Sequence, residues 1–346
     1  MSKTIFDDVP HSDAQEIKHG SEPLLWWRPP GHSEVFTLIP DASGTSTFHF
    51  APFDAAQGAP EISWKGHAVK TESPEAGMLP FVTTCDVYDT TRGAHMTNVS
   101  EALTAISKGE MDKVVVSRTR LLPEALPPET VFQQLCAMHP RALVYLMHHP
   151  VEGTWCGATP EILLRAQQND VDTVSLAGTR REGFLDSWTD KERQEQHVVT
   201  EHILDVLSEL GATNLSIQGP HDRKYGALTH LETRLAAQYT GDLHQLAKAL
   251  HPTPAVCGRP VDKATAFIRN KEQHNRTYYA GFLGWSSPLG CAYYVNLRCA
   301  HWANNGVALF AGGGIVDGSV PEDEWLETEA KLQSFAPAFL PVSYTH

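Results

Sequence analysis

Val307-Ala-Leu-Phe-Ala-Gly-Gly-Gly-Ile-Val-Asp-Gly-Ser-Val-Pro-Glu-Asp-Glu-Trp-Leu-Glu-Thr-Glu-Ala-Lys331 is the most informative stretch of the chain. Val307 to Phe310 reads as a strand, Gly312-Gly313-Gly314 as a loop, and the residues from about Glu322 as a final helix. Three glycines after a strand let backbone N–H groups approach an anion closely. No Gly-Lys-Ser/Thr follows and the spacing is not GxGxxG, so this is neither a P-loop nor a dinucleotide fingerprint. A plain tight turn is the simpler alternative. On the helix, Glu324 and Glu327 are three apart, and Lys331 lies four beyond Glu327.

Working outward, a helix over 191–210 repeats the acidic spacing. Val199, Ile203, Val206 and Leu210 form one apolar stripe, and Gly211 ends the helix. Glu192 and Glu195 are three apart, and Glu195 lies one turn before Val199, at the border of the stripe. Carboxylates from two helices could hold one Mg²⁺ between them. Magnesium usually keeps waters and substrate oxygens, so four direct protein ligands are not required. The spacing equally allows a solvated face with a Glu327–Lys331 surface pair.

Three single residues add candidate chemistry. Lys113 heads the β-branched strand 113–118. Burial would lower its pKa and make it a general base; the alternative is a lysine that snorkels to water. Glu161 follows Gly157-Ala-Thr-Pro160 and precedes an apolar strand, where an apolar pocket would raise its pKa toward general-acid work. An exposed turn glutamate is the alternative. Arg298 reads as an arginine inside the strand that begins at Ala292, needing either a ligand carboxylate or an internal salt bridge. His197 and Glu201 are four apart, but HExxH is absent, and so is GxSxG.

The remaining elements are coarser. Strands are expected at 35–39, 45–50 and 143–147, a hairpin at 162–164 and 173–176 around Asn169-Asp170, and a short helix over 101–109. With 346 residues and 41% hydrophobic content the chain can bury a large core. A formal charge of −14 argues against a nucleic-acid binder. Six cysteines without a CxxC pair are too sparse for a disulfide scaffold or zinc knuckle. The polar, acidic N-terminus does not read as a signal peptide, and no apolar run approaches 18 residues. A cytoplasmic, membrane-free location is the expectation.

Taken together and in order, the motifs resemble a family. They are Lys113-Val-Val-Val-Ser-Arg118, Gly157-Ala-Thr-Pro-Glu161, Ser175-Leu-Ala-Gly-Thr-Arg180, Lys191-Glu-Arg-Gln-Glu195, Leu250-His-Pro-Thr-Pro-Ala255, Val295-Asn-Leu-Arg298, Phe310-Ala-Gly-Gly-Gly-Ile-Val316 and Glu324-Trp-Leu-Glu327-Thr-Glu-Ala-Lys331. The series resembles the chorismate-utilising enzymes. Their members include isochorismate synthase, salicylate synthase, anthranilate synthase component I and aminodeoxychorismate synthase. The family core would run over 96–340, with 1–95 loosely matched, in one chorismate-binding domain spanning 1–346.

The resemblance implies an α+β fold: two large antiparallel sheets packed face to face, outer helices, and one active site between lobes. It also implies chorismate and Mg²⁺. By that resemblance Glu195 and Glu327 are metal ligands, and Glu192 and Glu324 help them directly or through water. Lys113 is the base and Glu161 the acid. Arg298, Lys331 and backbone amides near Gly178 and at Gly312, Gly313 and Gly314 hold carboxylates, and His230 lies beside the ring. Lysine at the 113 position goes with water as nucleophile, where ammonia-adding members carry glutamine. Alanine at 255 goes with isochorismate formation, where pyruvate-eliminating members tend to have threonine. The expectation is Mg²⁺-dependent isomerisation of chorismate to isochorismate, with salicylate synthase the nearest alternative. An ammonia-adding synthase is more distant. No obligatory protein partner is expected, and a monomer is the default.

Overall fold

The computed structural model describes residues 24–79, 86–181, 188–225 and 228–341. β1 (Leu24–Arg28), β2 (Val35–Pro40), β3 (Ser46–Ala51) and β4 (Ile62–Thr71) come first. α1 (Arg92–Ser107), β5 (Lys113–Leu122) and α2 (Pro128–Met138) follow, then β6 (Leu143–His149), β7 (Gly153–Thr159), β8 (Ile162–Gln167) and β9 (Asp170–Arg181). α3 (Asp190–Glu209) leads to β10 (Thr213–Tyr225), β11 (Leu228–Gln238), α4 (Leu243–Leu250), β12 (Gly258–Arg259) and α5 (Val261–Lys271). β13 (Phe282–Ser287), β14 (Gly290–Val295), β15 (Cys299–Ala303), β16 (Gly306–Ile315) and α6 (Pro321–Gln333) complete the series. No helix among the described residues is long and apolar enough to cross a membrane.

The α+β class stands. Antiparallel pairing joins the strands in the order β10-β11-β9-β8-β14-β13-β3-β4-β2-β1-β6-β7-β15-β16-β5-β12. Strands lie about 4.8 Å apart, so β9 and β16, third and fourteenth in the order, would be roughly 50 Å apart in a flat sheet. Residues of both line one cavity instead. The ladder therefore folds back and its two halves face each other. They remain joined edge to edge through β3, β4, β2 and β1, so hydrogen bonding makes one sheet where two were expected.

Period-two alternation explains the core. Trp27, Tyr145 and Met147 face the main cluster with Phe36, Phe48, Phe50 and Trp155. Their neighbours Trp26, Val144 and Leu146 face the other side, against Phe132 and Leu135 of α2 and against Phe335 and Phe339 beyond α6.

Several expected elements shift. The short helix over 101–109 begins nine residues earlier, at Arg92, capped by the Thr91 hydroxyl on Ala94 N. Its first turns bury His95 and Asn98, polar residues that give no apolar stripe. The α3 stripe turns toward Leu207, 1% exposed, while Leu210 is 41% exposed just before Gly211 takes a left-handed φ of +78°. The glycine run is not a loop but the end of β16. β14 stops at Val295, so Arg298 lies on the turn before β15 rather than inside a strand, with a left-handed φ of +48°. The N-terminal residues read above for a signal peptide lie outside the described residues, as does Cys85.

Candidate active site

The cavity sits where the ends of the folded ladder meet. Counted out to open solvent, its space is about 880 Å³. Ten of the fourteen expected site residues line it: Glu161, Gly178, Glu195, His230, Ala255, Arg298, Gly312, Gly314, Glu327 and Lys331. Lys113, Glu192, Gly313 and Glu324 do not.

One wall is β9, β11 and α3. β9 carries one extra residue opposite β11: His230 pairs with Thr179 and Leu231 with Ala177, which leaves Gly178 between them. Gly178 has φ +69°, and a Cβ there would press on Glu192 Cβ at 3.0 Å. Glycine is thus required both by conformation and by the close approach of α3. The bulge frees the Gly178 amide to donate to Glu195 Oε2 at 3.1 Å. Its carbonyl accepts from His230 Nδ1 at 3.1 Å. Burial, with Lys331 and Arg298 nearby, holds His230 down at about 4, so the ring is neutral at pH 7. Donation from Nδ1–H leaves Nε2 as an acceptor.

The other wall is β5, β16 and α6. Along β16, Phe310, Gly312 and Gly314 face the cavity, whereas Gly313 faces α6, where a Cβ would lie 3.0 Å from Glu324 Oε2. A Cβ on Gly314 would overlap Glu195 Oε1. Lys331 Nζ donates to the Gly312 carbonyl at 2.8 Å and pairs with Glu327 Oε1 at 2.7 Å. Burial opposes the Lys331 charge, but Glu327, Glu195 and Glu324 outweigh it and hold the ammonium above the usual lysine range.

Lys113 is fully buried, and its Nζ donates to Glu195 Oε1 at 2.9 Å. It stands behind Glu195 rather than at the cavity surface. Glu161 is half-buried; burial pushes its carboxyl up to about 7 against the pull of Lys331, Lys113 and Arg298. The bland alternative of an exposed turn glutamate is thereby removed.

The acidic residues divide. Glu195 and Glu327 reach the cavity from α3 and α6. Glu192 instead closes a capping box, accepting from the Thr189 amide at 2.9 Å. Glu324 is 2% exposed and accepts from Ser319 Oγ at 2.7 Å, beneath Gly313. Both were expected beside the metal; neither carboxylate reaches the cavity, because local hydrogen bonds turn each one away.

Sequence reading missed the apolar lining. Tyr279 and Phe310 stack with ring centroids 5.2 Å apart, and Leu176, Leu297, Val115 and Phe335 complete the wall. Period-two counting back from Gly312 and Gly314 would have found Phe310. Tyr279 has no comparable signal.

A family model described as chorismate binding enzyme matches residues 64–340. The chain belongs to the chorismate-binding enzymes. It is 32% identical over 258 residues to isochorismate synthase EntC of Escherichia coli K12, covering 70% of this chain and 66% of EntC. The match therefore spans just under two thirds of that relative. The fold is shared with MenF, the menaquinone-specific isochorismate synthase from Escherichia coli, at TM-score 0.75 and 21% identity over 94% of this chain and 91% of MenF. It is shared also with anthranilate synthase component I from Streptococcus pneumoniae, at TM-score 0.69 and 15% identity over 96% and 95%. Within these chorismate-binding enzymes the fold is thus common to members of different chemistry, and the site residues must carry the distinction.

Proposed function

We propose that the chain is an isochorismate synthase, converting chorismate to isochorismate with water as nucleophile. The observation that carries this reading is one cavity with a carboxylic acid, Glu161, held near neutrality and a lysine, Lys113, beneath its opposite carboxylate wall. The identity to isochorismate synthase EntC supports it.

Chorismate carries two carboxylates, and the cavity offers cations and donors for them. Arg298 and Lys331 line it. Two carboxylates, Glu195 and Glu327, face it from different helices, and no third does so among the acidic pairs of α3 and α6. Two hard oxygen donors with room for water and substrate oxygens suit Mg²⁺. When bound, Mg²⁺ would neutralise the ring carboxylate and polarise the diene as a Lewis acid. Lys113, as the amine, takes a proton from the water that adds at C2. Its contact with Glu195 Oε1 has to be exchanged for that water. Glu161, protonated, gives its proton to the C4 hydroxyl, which leaves as water. One water enters and one departs, so substrate and product share a formula and the equilibrium lies near unity. His230, neutral, accepts a hydrogen bond through Nε2 and orients the ring. Phe310 and Tyr279 exclude bulk water.

The test is incubation of purified protein with chorismate, in Mg²⁺ or in EDTA, with products separated by liquid chromatography and mass detection. The expected result is a Mg²⁺-dependent product of unchanged mass, without pyruvate. Salicylate with stoichiometric pyruvate would assign the lyase reaction instead. Unchanged chorismate in both samples would overturn the proposal. Lys113→Ala and Glu161→Gln should each lower turnover about 10²–10⁴-fold while chorismate binding persists. Near-normal turnover in either would remove that residue from its role.

A further inference from the structure

A second cluster of ligating groups lies away from the cavity. His49 is on β3, Glu61 stands just before β4, and His244 is in the first turn of α4. One carboxylate oxygen gathers both imidazoles: Glu61 Oε1 is 2.7 Å from His244 Nε2 and 3.3 Å from His49 Nδ1. The ligating atoms of all three lie within 4.8 Å of one another. The two rings stack with centroids 4.0 Å apart at 21°. None of these side chains is more than 24% exposed. Lys248 Nζ takes the other oxygen, Glu61 Oε2, at 3.1 Å, so Oε1 is the one turned to the histidines.

We infer that His49, Glu61 and His244 form a binding site for a borderline divalent metal of the Zn²⁺ class. Two imidazole nitrogens and one carboxylate oxygen are a donor set that zinc takes readily and that magnesium does not. Bonds of about 2.0–2.1 Å at tetrahedral angles separate ligand atoms by roughly 3.4 Å. The 3.3 Å pair already matches, and the 2.7 Å pair needs to open by a fraction of an ångström. Ser63 Oγ, 3.1 Å from His49 Nδ1, marks the place of a fourth ligand, itself or a water. Outer support is present as well. His49 Nε2 lies 3.3 Å from Ser286 Oγ, which fixes the ring with Nδ1 toward the site. On His244, Nε2 points to Glu61, the ring packs against Phe282 and Tyr293, and the buried Nδ1 has no hydrogen-bond partner among the described residues.

The site would tie β3, the chain before β4 and the start of α4 together. The far end of α4 leads within five residues to Ala255 in the cavity wall. A metal here therefore braces the segment that carries Ala255, through the backbone and at a distance from the reacting atoms.

The experiment is calorimetric titration of the chelator-treated full chain with Zn²⁺, in excess Mg²⁺ so that the oxygen-donor site is already supplied. Uptake of one Zn²⁺ per chain is expected, with a rise in melting temperature. His49→Ala and His244→Ala should each weaken that uptake at least about tenfold and abolish the rise. Should either alanine variant fold poorly, His244→Gln keeps a donor toward Glu61 and gives the same readout. Absence of uptake in the wild type overturns the inference, and so does full uptake retained when both histidines are replaced.

Discussion

Glu192 and Glu195 on α3 share their spacing with Glu324 and Glu327 on α6, and both helices face the same cavity. In each pair the second carboxylate lines the cavity and the first serves the fold. The reasons differ. Glu192 sits at an exposed helix start, where backbone amides lack partners and a carboxylate three residues in completes the cap. Glu324 is buried beneath Gly313, where Ser319 holds it. Equal spacing thus locates a helix face, while the immediate neighbours decide which side chain is available for chemistry.

The sharpest way to break that division is to neutralise each carboxylate in turn. Glu195→Gln and Glu327→Gln should each cost at least about a hundredfold in turnover. Glu192→Gln should stay within a fewfold of wild type in steady-state assays. A loss at Glu192 matching that at Glu195 would show that the capping carboxylate also works in the cavity. The next effect is one of pH. Because the Glu161 carboxyl is pushed up to about 7, turnover should fall as pH rises through that value. Stability follows the same sign. The folded state holds this proton more tightly than the unfolded chain, so the contribution is full below the unfolded value and lost as pH rises through about 7. Glu161→Gln should therefore unfold at higher urea than wild type at pH 8, with the gap closing toward pH 4; a constant gap would contradict it.

Smaller effects sharpen the contrast. Glu192→Ala should lose about 0.5–2 kcal/mol in urea unfolding, the usual worth of a helix cap, with turnover nearly intact. The smallest change is expected from Ala255→Thr, which should raise the pyruvate fraction of the products. An unchanged product mixture would remove specificity from that position.

Much of the candidate site was legible because its charged residues are rare in their settings. A lysine heading a Val-Val-Val strand and a glutamate after Thr-Pro stand out against their surroundings. Gly178 was less transparent, since the bulge that frees its amide depends on pairing with His230, 52 residues away. Arg298 was placed inside a strand because the run from Ala292 was read on through Asn296 to Leu297, although the strand ends at Val295. The closing of the ladder into one sheet could not be read at all. Which edges meet is a property of long-range pairing, and period-two alternation is the same in one sheet or two.

That folded-back ladder also sets an order in time. Lys113 meets Glu195 across 82 residues, and Lys331 meets the Gly312 carbonyl only after α6 has been made. Contacts between such distant segments form slowly, because loop closure must precede any gain from them. During synthesis the histidines of β3 and α4, the β9 bulge and Lys113 at the head of β5 all emerge before the last helix. The cavity is therefore completed late in the making of the chain. Until α6 docks, the wall that carries Glu327 and Lys331 is missing from the cavity.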